Sequence, residues 1–194
     1  DDDHVNGLKE LLETGYPVGC LLLPEIDGPG EKYRELEETA RRAGVPAEYL
    51  SAGMSWRKGD TVISCLHPPK GLAWQEDNSY SMVLKVQTEE MSLLLTGDLD
   101  EQGERELLES GTDLSCQVLN TAHHGSRFST SEEFLERASP QVALISAGRE
   151  NSYGHPHKET LDRFLKRGIQ IRRTDQEGML RVEGGSVYGF LTDF

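Results

Sequence analysis

The sequence predicts an α/β sandwich, and three observations lead there. Segments of helical and strand periodicity alternate along almost the whole chain. Two apolar strand segments separated by a short polar turn make part of the sheet antiparallel. Imidazole and carboxylate side chains recur just after apolar strands, where open α/β folds gather their sites. Taken in order, VNGLKELLETG, from Val5, puts Leu8, Leu11 and Leu12 at helical spacing and ends on Gly15. VGCLLLPE then reads as a strand and EKYRELEETARRAG as a helix closed by Gly44. The segments AEYLSAG, DTVISCLHPP, SYSMVLKVQT and MSLLLTGDL read as strands, the last two as a hairpin. Helix EQGERELLESG, strand CQVLNTAHHG, helix TSEEFLERAS, strand QVALISAG, helix HKETLDRFLKRG and strand IQIRRTD come next, and GMLRVEGG with VYGFLTDF closes the chain as a terminal pair. No repeat, low-complexity segment or long linker divides residues 1–194, which predicts a single domain.

The composition, 36% hydrophobic and 28% charged over 194 residues, is that of a soluble protein. The longest apolar stretch, VGCLLLP from Val18, is far short of the roughly 18 residues a spanning helix needs. A net charge of −14 argues against a general basic surface for nucleic acid, so any contact with a polyanion must be local. Cys20, Cys65 and Cys116 sit in apolar strand contexts without C-x-x-C spacing and read as small core residues.

The residues just beyond the strands carry the chemistry. LLLTGD ends on Asp98, VLNTAHHGS carries His123 and His124, and LISAGRENSYGHPH carries Asn151, His155 and His157. Four of the six histidines thus fall at strand ends that one sheet brings together, while DDDH sets Asp1, Asp3 and His4 before a helix. Carboxylates mixed with imidazoles suit Zn, Mn or Fe rather than Ca or Mg. Each piece has a plainer reading: Asp3 or Asp98 as a helix cap, His155 and His157 as loop packing, His67 as structural, Arg172 and Arg173 as partners of surface acids. The order D-x-D-H, TGD, HHGS, GHPH outweighs those readings taken one by one.

With these motifs, the chain resembles the metallo-β-lactamase-fold domain at the C-terminal end of ComEC-type competence proteins, the channels of bacterial DNA uptake. The resemblance runs from DDDHVNGL through LLLTGDLDEQGE, HHGSRFSTSEEFL and NSYGHPHKETLDRF to RRTDQEGMLRV. It implies an αββα sandwich whose N-terminal part is missing from this chain, because the superfamily motif H-x-[HD]-x-D-H would begin upstream of Asp1. It also implies that the chain is the C-terminal part of a larger, otherwise membrane-embedded protein, and so membrane-associated in the bacterial cell.

By the same resemblance, Asp1, Asp3, His4, Asp98 and the His123–His124 pair are the metal ligands, with Asp98 bridging two divalent ions, Mn or Zn. Which of His123 and His124 meets metal stays open; the two are expected to be unequal, one a ligand and the other orienting a neighbour or meeting phosphate. Asp77 or Asn78 stands where the superfamily has its middle histidine, which either weakens one of the two metal sites or hands it to oxygen ligands. Asp3, Asp98 and His155 are the candidate catalytic residues; Ser126, Arg127, Asn151 and His157 are candidates for substrate contact. The implied activity is metal-dependent hydrolysis of DNA phosphodiesters, degrading the non-transported strand. Its partners would be DNA, the membrane channel domain of the same polypeptide and other competence proteins. Two alternatives stand beside it: a non-catalytic structural domain of the transporter, and a hydrolase of small phosphoesters or lactones.

Overall fold

The structure is a computed structural model that describes residues 2–27, 30–73 and 77–190, with residues 2, 3, 73 and 77 described by their backbone alone. In chain order the elements are α1 (Asp2–Glu13), β1 (Leu21–Pro24), β2 (Ile26–Asp27), α2 (Glu31–Arg42), β3 (Ala47–Leu50), β4 (Ser55–Lys58), β5 (Thr61–His67) and β6 (Leu72–Ala73). Then come β7 (Val83–Gln87), β8 (Ser92–Leu95), α3 (Glu101–Glu109), β9 (Val118–Asn120), α4 (Glu132–Ala138) and β10 (Val142–Ile145). The last are α5 (Lys158–Lys166), β11 (Gln170–Arg173), α6 (Thr174–Glu177), β12 (Met179–Glu183) and β13 (Ser186–Phe190).

A seven-stranded sheet in the order β11-β10-β9-β8-β7-β5-β4 dominates the fold. Its β4, β5, β7 and β8 pair antiparallel, including the expected β7–β8 hairpin, whereas β8, β9, β10 and β11 run parallel. The parallel half matters for function. Because β8, β9 and β10 are parallel neighbours, the segments that leave them, around Asp98, His123–His124 and Ser146–His157, emerge along one edge of the sheet.

The seven-stranded sheet and the β1–β3 pair each pack against helices. Val83 and Leu94 of the hairpin, Leu119, Ala143 and Ile145 of the parallel strands, Leu107 of α3, Phe134 and Leu135 of α4 and Phe164 of α5 form one buried core. At about 25 cal/mol per Å2 removed from water, apolar burial on this scale is the main force closing the fold. On the other side β1 and β3 pair parallel, and Leu12 of α1, Leu36 and Ala40 of α2 and Leu21 and Leu23 of β1 make a smaller core.

Local chemistry fixes the helix starts. The Asp100 carboxylate accepts the Gly103 N–H at 2.9 Å and the Ser131 hydroxyl accepts that of Phe134 at 3.2 Å, caps of about 1 kcal/mol each. It is Asp100, two residues on, that caps α3, so Asp98 is left for another purpose.

The structure corrects or completes the sequence reading at several places. Of the face Leu8, Leu11 and Leu12, only Leu12 is buried, because the small core covers one edge of α1 and leaves Leu8 and Leu11 exposed. The strand β4 passes unread because SWRK, mostly exposed at the sheet edge, has no apolar alternation. The short β2–β6 pair is equally illegible, two residues being too few to show a period. Cys65 and Cys116 are buried free thiols, as expected of core residues, whereas Cys20, also a free thiol, is only partly buried just before β1 and belongs to neither core.

Candidate metal centre

The β8 and β9 exits meet first. The Thr96 hydroxyl donates to the Asn120 carbonyl at 2.6 Å and the His123 N–H to the Gly97 carbonyl at 3.0 Å. The Ser81 hydroxyl accepts the Asp98 N–H at 3.1 Å. These bonds hold Asp98, 7% exposed, at the floor of a cleft.

The chain turns at the histidine pair itself. His123 (φ 49°) and His124 (φ 54°) are both left-handed, a conformation that non-glycine residues rarely adopt, and Gly125 (φ 85°) continues the turn. A Cβ at Gly125 would stand 2.6 Å from Pro156 Cβ, so only glycine allows the HHGS and GHPH segments to approach this closely. Two successive left-handed residues send the imidazoles different ways, and that separates them.

His124 joins the cluster. Its Nδ1 lies 2.8 Å from the Ser146 carbonyl and must donate to it, which leaves Nε2, 3.6 Å from Asp98 Oδ1, as the nitrogen able to bind a metal. From α1, His4 Nε2 stands 3.0 Å from Asp98 Oδ2. One carboxylate oxygen therefore faces each imidazole, and the donor atoms of His4, Asp98 and His124 all lie within 4.8 Å of one another. Donors on a tetrahedral ion at about 2.0–2.1 Å are about 3.3 Å apart, so these spacings and this nitrogen–oxygen chemistry fit a divalent metal. Asp98 Oδ1, buried, has no hydrogen-bond partner among the described residues, as befits a ligand atom. Burial would raise the Asp98 carboxyl, but the His4 hydrogen bond and charge, with the His124 and His123 imidazoles, take it below the usual value and keep it ionised.

His123 lies outside that cluster, with its ring 6.4 Å from that of His124 and 5.7 Å from that of His155. His155 stacks with His124 at 6.3 Å and 25° and lines the same cleft. Burial first, and then His157, His123 and His124, hold its pKa below the ordinary value against the pull of Asp98, which favours the neutral ring.

The cleft has two lobes that share Asp98 and Lys32. One, about 700 Å3, is lined by His123, His124, Asn151, Tyr153 and His155. The other, about 470 Å3, is lined by His4, Asn78 and Ser81. Asn78 thus reaches the cleft from the segment where the middle histidine was expected, and it brings an oxygen donor. The expectations for Asp1 and for the side chains of Asp3 and Asp77 lie outside the described residues.

The four residues expected to meet substrate divide. Ser126 is buried, and its hydroxyl accepts the Phe128 N–H at 3.4 Å, so it shapes the turn and is not open to substrate. The Arg127 guanidinium pairs with Glu159 at 2.9 Å and does not line the cleft. Asn151 does line it, but its amide works on the backbone: Oδ1 accepts the His155 N–H at 2.9 Å and Nδ2 donates to the Gly148 and His155 carbonyls. His157 Nδ1 accepts the Arg127 N–H at 3.1 Å while its ring meets His155 edge-on at 4.7 Å. Lys32 and Tyr153 escape a reading of the sequence. A lysine in the first turn of an amphipathic helix and a tyrosine in a polar loop carry no signal of a cleft.

In this mixed α/β fold a carboxylate and a histidine at the ends of adjacent parallel strands meet a histidine of α1, a set of side chains that could hold a divalent metal ion. The chain is 35% identical to ComE operon protein 3 of Bacillus subtilis over 93% of its own length and 23% of that protein's. It is 43% identical to competence protein ComA of Neisseria gonorrhoeae over 55% of its length and 16% of that protein's. No family model matches. Among solved structures, the metallo-beta-lactamase fold protein YhfI from Bacillus subtilis superposes with a TM-score of 0.49 at 11% identity, covering 96% of this chain and 71% of that one.

The chain is a homologue of these competence proteins and spans less than a quarter of their length. No helix among the described residues is long and apolar enough to cross a membrane.

Proposed function

We propose that the chain is a metal-dependent nuclease domain of a competence protein, hydrolysing DNA phosphodiesters as one strand is taken up and the other degraded. The observation that carries this reading is the ionised Asp98 carboxylate between the His4 and His124 imidazoles at the floor of an open cleft. His4, Asp98 and His124 would hold Mn or Zn, with Asp1 and Asp3 as the further ligands that the D-x-D-H motif implies. Asn78 and Ser81, beside Asp98 in the second lobe, would complete an oxygen-rich site for a second ion.

Such metal supplies Lewis acidity and lowers the pKa of bound water. The protein's part is to orient. The Ser146 carbonyl fixes the His124 tautomer, the Asn151 amide holds the His155 backbone, and the neutral His155 ring donates a hydrogen bond to a phosphate or leaving-group oxygen. Lys32, on the rim of both lobes, offsets phosphate charge. The membrane channel part of the same polypeptide and other competence proteins are the partners in this reading, and the channel part would tie the domain to the cell membrane.

One observation favours a non-catalytic transporter domain instead: the His, Asp, His set among the described residues could hold one ion, with Asn78 rather than a histidine nearby. Elemental analysis together with DNA digestion in Mn2+ or Zn2+ against EDTA decides. Metal-dependent cleavage that His124→Ala abolishes along with bound metal, and that His123→Ala slows by about 10–100-fold with metal retained, supports the nuclease. A protein that takes up metal and cleaves a small phosphoester or lactone but no DNA is a different hydrolase. One that takes up no metal and cleaves nothing is a structural domain.

A further inference from the structure

We propose that Tyr153 is a base-stacking residue that selects single-stranded nucleic acid for the cleft; this rests on the nuclease reading and adds the means of recognition. Tyr153 lines the metal lobe yet is 76% exposed. Its ring lies 5.8 Å from His155 at 20°, and His155 in turn is 6.3 Å from His124 at 25°. The three rings form a near-parallel series that leads from a metal ligand to solvent. At its outer end stands a large, solvent-exposed π face, supported from behind by an imidazole.

The loop that presents this ring is held in place. Asn151 makes three hydrogen bonds to the backbone of its own loop, at 2.9, 2.6 and 2.9 Å, and spans the turn in which Tyr153 stands. A second loop nearby has the same construction. Arg163 donates to the carbonyls of Arg127, Ser129 and Thr130, and Glu104 accepts the N–H groups of Thr130 and Ser131, while Phe128 between them is 68% exposed. That loop is tied to the ring series where the Arg127 N–H meets His157, which touches His155 edge-on. An aromatic ring exposed on a pinned loop loses little entropy when a flat ligand lands on it, which suits it to stacking.

Charge points the same way. At −14 the chain cannot track a strand by a continuous basic groove, so affinity must come from short-range contacts. Stacking of bases on aromatic rings is such a contact, indifferent to sequence, and it requires bases that are not already stacked inside a duplex. A duplex offers Tyr153 nothing except at a frayed end.

The test compares wild type, Tyr153→Ala and Tyr153→Phe on three 12-nucleotide probes: oligothymidylate, the same length of tetrahydrofuran abasic strand, and a hairpin duplex. Fluorescence anisotropy in EDTA reads binding without turnover, and KM and kcat in Mn2+ read the reaction. Tyr153→Ala is expected to weaken oligothymidylate binding and raise its KM by roughly 10-fold, with kcat nearly unchanged. Tyr153→Phe should match wild type, and the abasic strand should bind weakly and equally to all three proteins. Equal losses on abasic and base-bearing strands would make Tyr153 a shaper of the cleft and overturn the proposal. So would oligothymidylate binding that Tyr153→Ala leaves intact, or a wild-type preference for the hairpin. If wild type cleaves none of the probes, the nuclease reading itself fails and the proposal falls with it, an outcome distinct from cleavage that ignores residue 153.

Discussion

The wall of the cleft that carries Asp98 and His124 and the wall that carries His4 hold these candidate metal-binding side chains by different means. Asp98 and His124 sit at the exits of adjacent parallel strands, tied by backbone bonds such as His123 to Gly97 and by the Ser81 and Ser146 contacts. His4 rides on a helix whose Leu8 and Leu11 are exposed, and its own side chain is 40% exposed. The first wall has its geometry before any ligand arrives. The second is held by a small core and exposed contacts such as Lys9 to Glu35 at 2.7 Å, so an ion between the walls would stabilise the second more than the first.

The largest effects should come from the ligands themselves. Asp98→Ala is expected to abolish metal binding and cleavage, a loss beyond the roughly 10–100-fold typical of residues that only orient a ligand, because both imidazoles face its oxygens. His4→Ala should also lose metal and, because it takes away the partner of the Asp98 carboxylate, cost about 1–2 kcal/mol of metal-free stability, well short of a core truncation. Calorimetric metal titration beside denaturant melts in EDTA checks both. A His4→Ala protein that unfolds as readily as a core variant would erase the contrast between the walls.

Next in size is a truncation inside the rigid wall. Glu104, 2% exposed on α3, accepts the N–H groups of Thr130 and Ser131 and so fastens the loop after HHGS. Burial raises its pKa against the pull of those hydrogen bonds and Arg163. Glu104→Ala leaves both N–H donors without their acceptor and should cost about 2–4 kcal/mol in a urea melt, while Glu104→Gln, which keeps an acceptor, should cost less. Equal costs would mean that the carboxylate contributes bulk and not hydrogen bonds.

The same contrast explains what could be read in advance. TGD, HHGS and the Asp3–His4 pair stand out because polar residues interrupt apolar strands or precede a helix, and His4, Asp98 and His124 do converge. The choice between His123 and His124 was not legible, since it depends on two consecutive left-handed residues that no residue type there announces. Ser126 and Arg127 misled because a hydroxyl or guanidinium looks the same in sequence whether a turn and Glu159 already satisfy it or substrate must. The strands and helices with strong periods were found. The edge strand β4, the two-residue β2–β6 pair and the extent to which α1 is covered were not, all being matters of neighbours rather than of local pattern.

A smaller effect, on pH dependence, should trace the support behind Asp98. His67 is 1% exposed; its Nδ1 donates to the Ser81 carbonyl at 3.1 Å, and the Ser81 hydroxyl accepts the Asp98 N–H. Burial holds its pKa below the ordinary value despite the Ser81 bond and Glu106, so the folded protein resists a proton that the unfolded chain accepts. Stability should therefore fall as pH drops below about 6.5 through the lower folded value, by at most about 1.4 kcal/mol per pH unit for one proton. His67→Gln should flatten that part of the profile in EDTA. An unchanged slope between wild type and variant would show that other groups carry it.

The smallest effect is expected away from both walls, where it serves as the control. Lys85 of β7 is 3% exposed, and its ammonium reaches the Asp113 carboxylate at 2.8 Å, the Asp113 carbonyl at 3.3 Å and the Ser115 hydroxyl at 3.5 Å. The Lys85 hydrogen bond first, then those of Ser115, lower the Asp113 carboxyl to about 2. A folded pKa below the unfolded value means that the contribution is present above about pH 4 and is lost as pH falls towards 2. Because the Asp113 side chain is 73% exposed, solvent screening cuts its worth to about 0.5–1 kcal/mol. Asp113→Asn should lose that amount at pH 7 and almost nothing near pH 2, in urea melts at the two values, because the backbone carbonyl and Ser115 still meet the ammonium. It should leave metal affinity and cleavage at wild-type level, since β7 meets the cleft only at its far end, through the segment that leads to Ser81. A drop in metal affinity in Asp113→Asn would mean that the rigid wall transmits strain along the length of the sheet, and the ligand geometry could no longer be credited to the bonds around Asp98 alone.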